Sequence, residues 1–371
     1  MGCKKALPYA AVLLGAGFIF IFSGCTGQMK SSRIEEKDHF GWDQRAESTI
    51  FLDQDQAYSS LLRDRDLNII RGRAAGLDKE EAWMYSTDSP KDSPVWIPHV
   101  RKFNLRNFET FPKKQVKALD EDSDWETANI VFKISDYFYV MFYTEDNKDG
   151  NRYIRCAKAS SHDGPFKRIP GFQIAGEQEW EGNIIEADPG ARIAREEYTE
   201  AGETFIDYWI LYSNQGNRPL HQSGWARVRI NLTRQDVSFI EKHPGNPVKA
   251  INIEGHPYNR VGGTYPDFKI DGLYVFYYLS KPDHTTYYLA RALSHDPLFE
   301  TVLKKEIIGR PVPFDNHSDQ RVFEKFSAYW LDDEIVLLED VEFMDHSWGG
   351  IASQWSQRCG KGKQEGKSHD H

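Results

Sequence analysis

Hydrophobic positions along this chain fall into two kinds of run. One is a single unbroken apolar stretch, residues 6–22, preceded by the short basic segment Met1-Gly2-Cys3-Lys4-Lys5. The other recurs: short segments rich in aromatic and β-branched residues, broken by polar turns and lacking a helical period. The first of these covers residues 82–87, after a strand-like run at 67–70. Paired segments follow at 137–144 and 153–160, at 208–213 and 225–232, and at 273–280 and 287–294. A weaker one, 327–330, turns at Leu331-Asp332-Asp333 into 334–338. Asp271-Gly272 and Asn147-Lys148-Asp149-Gly150 carry the polar and glycine chemistry of tight turns. Each unit is therefore a strand, a turn and a strand, and the pattern predicts an all-β fold built from repeats.

The leader is a different matter. A basic start, an apolar run and the small residues Ser23-Gly24 before Cys25 make a secretory signal. Phe22-Ser23-Gly24-Cys25 resembles a bacterial lipobox, which implies cleavage before Cys25, a lipid on that cysteine and attachment to a membrane. An uncleaved anchor helix is the alternative, and both place the remainder outside the cytoplasm. Thr26 rather than Asp follows Cys25, so the inner-membrane retention signal of such lipoproteins is missing. The outer membrane, on its periplasmic face or at the cell surface, is the expected destination. The expected organisation is a signal over 1–24, a polar tether over 25–39, one folded domain over 40–358 and a disordered tail over 359–371. With Cys3 removed and Cys25 lipidated, Cys156 and Cys359 remain. Export permits a disulfide between them, but their separation leaves the pairing open.

Composition narrows the partners. The net charge of −10 is spread along the 371 residues with no basic stripe, which excludes nucleic acid as a partner. Aromatics make up 13%, including 10 Trp and 18 Tyr, enough for aromatic strands and for flat sugar-stacking surfaces. No zinc-spaced His/Cys cluster, phosphate loop or Gly-x-Ser-x-Gly nucleophile motif occurs.

Hairpins spaced by ~60 residues fit four-stranded blades better than immunoglobulin-like sandwiches. Two units end alike, in Ser160-Ser161-His162-Asp163-Gly164-Pro165-Phe166 and Leu293-Ser294-His295-Asp296-Pro297-Leu298-Phe299. Arg65-Asp66-Leu67-Asn68-Ile69-Ile70-Arg71-Gly72 resembles the first-blade segment of five-bladed glycoside hydrolases of family 43 and related groups. The Asp-Gly-Pro-Phe ending is similar to that group's blade-closing motif. The resemblance runs as scattered motifs from about residue 40 to about 355. It implies a five-bladed β-propeller, expected as a monomer, that hydrolyses a glycosidic bond in an extracellular oligo- or polysaccharide. No cofactor is required, and a structural calcium or sodium ion near the axis is compatible with it.

Such hydrolysis needs two carboxyl groups flanking the anomeric carbon, one protonated and one ionised. The resemblance implies Asp66 as the base, with Arg65 beside it. Asp188, in Ile184-Ile185-Glu186-Ala187-Asp188-Pro189-Gly190, matches the third-blade motif of the residue that tunes the acid, and Glu186 is the fallback on the same strand. Glu254, in Glu254-Gly255-His256-Pro257, matches the fourth-blade acid but with an extra His and a long gap before the strand at 273. Counting back from that strand instead puts Thr264-Tyr265-Pro266 at the motif, with no carboxylate. Trp125 and Glu126 in the second blade, and His346 with Trp348 near the end, are candidate substrate contacts. His317, in Asp315-Asn316-His317-Ser318-Asp319, is the candidate neighbour of a cation. The alternative function is a carbohydrate-binding surface propeller whose catalytic set has decayed. A partner-binding scaffold, or a lyase or transferase on the same frame, stays open.

Overall fold

The computed structural model describes residues 40–43, 50–51, 65–71, 77–88, 97–106, 114–116, 123–214, 222–260, 269–282, 288–309, 321–331, 334–343 and 349–358. The chain divides into two compact units, Trp42–Trp355 and a small one of Met1–Gly41 with Ser356–His371. Among the described residues every regular element is a strand.

Two short strands come first, β1 (Phe40–Asp43) and β2 (Ile50–Phe51). Sheet one is β3 (Arg65–Arg71), β4 (Glu81–Asp88), β5 (Ile97–Asn104) and β6 (Lys114–Gln115), side by side in that order. Sheet two is β7 (Ser123–Ser135), β8 (Phe138–Asn147), β9 (Arg152–Ala159) and β10 (Lys167–Arg168). Sheet three is β11 (Ile185–Glu200), β12 (Glu203–Asn214), β13 (Ser223–Asn231) and β14 (Asp236–Lys242). In sheet four the first strand is in two pieces, β15 (Tyr258–Arg260) and β16 (Lys269–Ile270), both paired to β17 (Leu273–Lys281). Next to it lie β18 (Tyr288–Ser294) and β19 (Lys304–Gly309). Sheet five holds β20 (Arg321–Leu331), β21 (Glu334–Phe343) and β22 (Gly349–Arg358). The early strand β2 joins it, with Ile50 opposite Ala352 and Phe51 opposite Ile351.

Apolar side chains on both faces of the second strands hold the sheets together. In β8, Val140 and Phe142 enter a core shared with Ile185, Ile210 and Tyr212 of sheet three. The intervening Tyr139, Met141 and Tyr143 enter a separate core with Tyr85 and Val100 of sheet one. Period-2 alternation thus feeds two cores from one strand, which is why β8 is hydrophobic throughout rather than alternating with polar residues. β12 repeats the device, sending Ile210 and Tyr212 one way and Leu211 toward Phe276 and Tyr278 of sheet four. Each such buried side chain contributes roughly 1.5–3 kcal/mol. Cys156 lies in the core between sheets two and three as a free, wholly buried thiol, while Cys359 lies outside the described residues.

The two similar unit endings are corners that lock neighbouring sheets. In the first, Ser161 Oγ donates to Asp163 Oδ1 at 2.7 Å, and Phe166 drops into the core between sheets one and two. Gly164 has φ +73, and a Cβ there would lie 2.5 Å from the Val116 carbonyl oxygen, so glycine is required. The His162 ring stacks on Trp83 of sheet one with centroids 3.7 Å apart. In the second corner, Asp296 accepts from the amides of Leu298 and Glu300, at 2.9 and 2.6 Å. Phe299 fills the core between sheets three and four, where Trp225 Nε1 donates to the Leu298 carbonyl at 2.9 Å.

Candidate functional site

The first strands of sheets one, two, three and five converge. β3 comes within 8 Å, Cα to Cα, of β7, β11 and β20, and β11 does the same with β7 and β20. The strand carrying Arg65 and Asp66, the one carrying Trp125 and Glu126 and the one carrying Glu186 and Asp188 therefore meet at one locus.

Hydrogen-bond register relates these strands more sharply than sequence counting does. The second strand of four sheets carries a buried hydroxyl residue one to three positions before its end: Ser86, Thr144, Ser213 and Ser280. A buried polar residue follows each of them, as Thr87, Glu145, Asn214 and Lys281. Opposite the hydroxyl on the first strand stand Thr127 in sheet two, Glu186 in sheet three and Asn259 in sheet four. In sheet one a register shift between Arg65/Thr87 and Asn68/Tyr85 leaves Asp66 and Leu67 facing Ser86. Asp66 with Leu67, Thr127, Glu186 and Asn259 thus occupy corresponding places.

Sheet three holds a dense acidic group. Glu186 is buried and accepts from Arg152 Nη1 at 2.5 Å, while Arg152 Nε lies 3.5 Å from Asp146 Oδ2. Two residues on, Asp188 is wholly buried. The register jumps from Ala187/Tyr212 to Ala191/Ile210, so Asp188, Pro189 and Gly190 together face only Leu211. Such a bulge re-aims the side chains it carries. The amide of Ala187 donates to Thr144 Oγ1 at 2.9 Å, fixing the start of the bulge to sheet two.

The loop leading into β11 is anchored from below. Buried Glu181 accepts from Lys242 Nζ at 2.7 Å, from the Tyr212 hydroxyl at 2.5 Å and from the amides of Glu177 and Gln178. Burial and then the Glu181 charge push the Tyr212 hydroxyl well above its ordinary pKa. Gly176 passes so close to the Gly182 carbonyl that a Cβ would overlap it, which cinches the loop.

Sheet four differs. Asn259, where sheet three has Glu186, is buried and neutral. It accepts from Ser223 Oγ at 3.1 Å and donates through Nδ2 to Asn252 Oδ1 at 2.5 Å. Glu254 sits exposed in the turn that precedes β15, next to Gly255 at φ +77. His256 is half-buried, with Nδ1 2.9 Å from Ser280 Oγ and its ring tilted against Tyr288 at 5.2 Å.

Cys25, His317, His346 and Trp348 lie outside the described residues. Among the described residues no cluster of three or more His, Cys, Asp or Glu is arranged to hold a metal ion. Sequence reasoning missed Arg152, Thr144 and the register role of Ser280. The recurring strand endings Tyr85-Ser86, Tyr143-Thr144, Tyr212-Ser213 and Leu279-Ser280 were the available signal.

No protein-family model matches the chain, and no curated protein matches its sequence. Solved structures do. A glycosyl hydrolase from Bacteroides ovatus matches with a TM-score of 0.50 at 12% identity, over 85% of this chain and 92% of that one. A thermostable family-43 glycoside hydrolase matches at 0.47 and 15% identity, over 84% and 97%. An α-L-arabinofuranosidase from Clostridium thermocellum matches at 0.43 and 16%, over 74% and 81%. The likeness to the Bacteroides ovatus structure shows the fold, an all-β propeller.

Proposed function

We propose that the protein hydrolyses a glycosidic bond in an extracellular oligo- or polysaccharide, by single-displacement inversion. Asp66 activates the water, Glu254 protonates the leaving group, and Asp188 tunes Glu254. One observation carries the proposal. The strands bearing Asp66 and Asp188, 122 positions apart in the chain, are both first strands and approach each other within 8 Å, Cα to Cα. Arg65, Trp125, Glu126 and Glu186 belong to the same converging strands and line the sugar path in this proposal, with His346 and Trp348 as further contacts. Inversion places base and acid roughly 6.5–9.5 Å apart, leaving room for water. Attachment through a lipid on Cys25 keeps the enzyme at the membrane facing its polymer.

The test is turnover of a panel of aryl glycosides and polysaccharides by the purified protein, with inversion followed by NMR of the released anomer. Asp66→Asn is expected to lower kcat by ~10³-fold or more, in the range of general-base losses. Turnover that survives Asp66→Asn would exclude the mechanism. Neutral Asn259 and exposed Glu254 favour one second function, a sugar-binding propeller without catalysis. Saturable oligosaccharide binding with no product release would establish it.

A further inference from the structure

We propose that a cleft between sheets three and four is a second saccharide-binding site, which takes one neutral pyranose unit of the polymer; the inference rests on the carbohydrate function proposed above. The cleft has a volume of about 280 Å³, just under the ~300 Å³ at which pockets for drug-sized ligands begin. One wall is the segment of residues 243–250 that leaves β14, and the other is the corner around Phe299. None of its lining belongs to a first strand, so it is a different place from the locus of Asp66 and Asp188.

The walls are preformed. Asn246 Oδ1 accepts from the Trp225 amide at 2.8 Å, and its Nδ2 donates to the Trp225 carbonyl at 2.9 Å. The Val248 amide donates to the Ser223 carbonyl at 2.8 Å. Trp225 and Phe299, both wholly buried, form an apolar base. Two polar side chains are left to read a ligand. His243 Nδ1 accepts from the Gly245 amide at 3.1 Å, so in the neutral ring the proton is on Nε2. Nε2 stands 3.7 Å from Glu300 Oε1, too far for a hydrogen bond. A donor and an acceptor thus face the same space without satisfying each other. Gly245 keeps that space open: a Cβ there would lie 2.7 Å from Glu300 Oε1 and 3.1 Å from the His243 ring.

Two adjacent ring hydroxyls match this arrangement, one accepting from Nε2–H and the other donating to the carboxylate. The Glu300 charge disfavours a phosphate or carboxylate ligand. A metal ion would lack ligands, since no cluster of three or more His, Cys, Asp or Glu is placed for one among the described residues.

The experiment is hydrogen–deuterium exchange of the full chain with and without neutral hexasaccharides of xylose, arabinose, mannose or glucose. Asp66→Asn is the background, so that the saccharide is not consumed. Each saccharide is added at ~10 mM, because a single sugar unit is expected to bind at ~1 mM. At least one should then slow exchange at residues 243–250 by ~10-fold, the factor set by ligand concentration over Kd. Glu300→Ala, which removes the acceptor from an exposed position, and Gly245→Ala, which fills the space, should each abolish that protection. In the otherwise wild-type chain both variants should keep aryl-glycoside turnover and the unfolding temperature unchanged. Protection of 243–250 that survives Glu300→Ala overturns the inference, as does protection confined to other segments or absent with every hexasaccharide. The hydrolase proposal fails separately, if wild type releases no product from any glycoside while 243–250 is still protected.

Discussion

Sheets three and four share a plan and differ in how their first strands are secured. In both, a loop enters the first strand, a buried hydroxyl from the second strand faces it, and the sheet before it reaches across with a hydrogen bond. Sheet three uses charge: Arg152 on Glu186, and Lys242 on Glu181 beneath the loop. Sheet four uses neutral groups, Ser223, Asn252 and Asn259, with Lys305 holding backbone carbonyls. The lesson is that a repeated fold can keep its register while exchanging an ion-paired anchor for an amide.

Breaking the ionic side should cost most. Lys242→Met leaves Glu181 buried without its cation and is expected to destabilise by about 3–5 kcal/mol, read from urea unfolding. A loss below about 1 kcal/mol would show that Tyr212 and the two loop amides suffice. Thr144→Val removes the acceptor for the Ala187 amide and should cost about 1–3 kcal/mol. It should also lower activity more than stability alone explains, because Asp188 follows directly.

Asn259→Asp sharpens the contrast from the other side. Burial raises the folded pKa of the new carboxyl, so the variant should match wild type near pH 4 and lose about 1–3 kcal/mol as pH rises through neutrality. Equal stability across that range would mean that sheet four tolerates charge where sheet three does. The smallest effect is expected at Glu306 on β19. Burial pushes its pKa up, but hydrogen bonds and charge from Arg291 and Lys304 outweigh this and hold it below the ordinary carboxylate value. Its contribution is present above pH ~4.5 and fades as pH falls through the lowered value. Wild type should exceed Glu306→Gln in Tm by about 2 °C at pH 7, and the gap should close in acid.

Much of the architecture was legible because each hairpin carries aromatic and β-branched residues that can only be buried on a sheet buried on both faces. The corners at Ser161 and Ser294 were visible as a repeated phrase, and the structure gives the phrase its purpose in seating Phe166 and Phe299. The strands of Asp66 and Asp188 were legible for the same reason. Sheet four was not, because its first strand is interrupted. Counting back from Leu273 arrives at residues 264–266, whereas pairing continues past them to Asn259 opposite Ser280. The Arg152–Glu186 and Lys242–Glu181 pairs join residues 34 and 61 positions apart, and nothing local in the sequence marks such partners.

The pairing of β2 with β22 carries a consequence for biogenesis. A strand translated near residue 50 waits for one translated near residue 350, so its hydrogen-bonding edge stays open until β22 has been made. During that interval the nascent chain needs shielding from other exposed edges. A frameshift or nonsense codon upstream of Gly349 would leave that edge unmatched, yielding an aggregation-prone remnant.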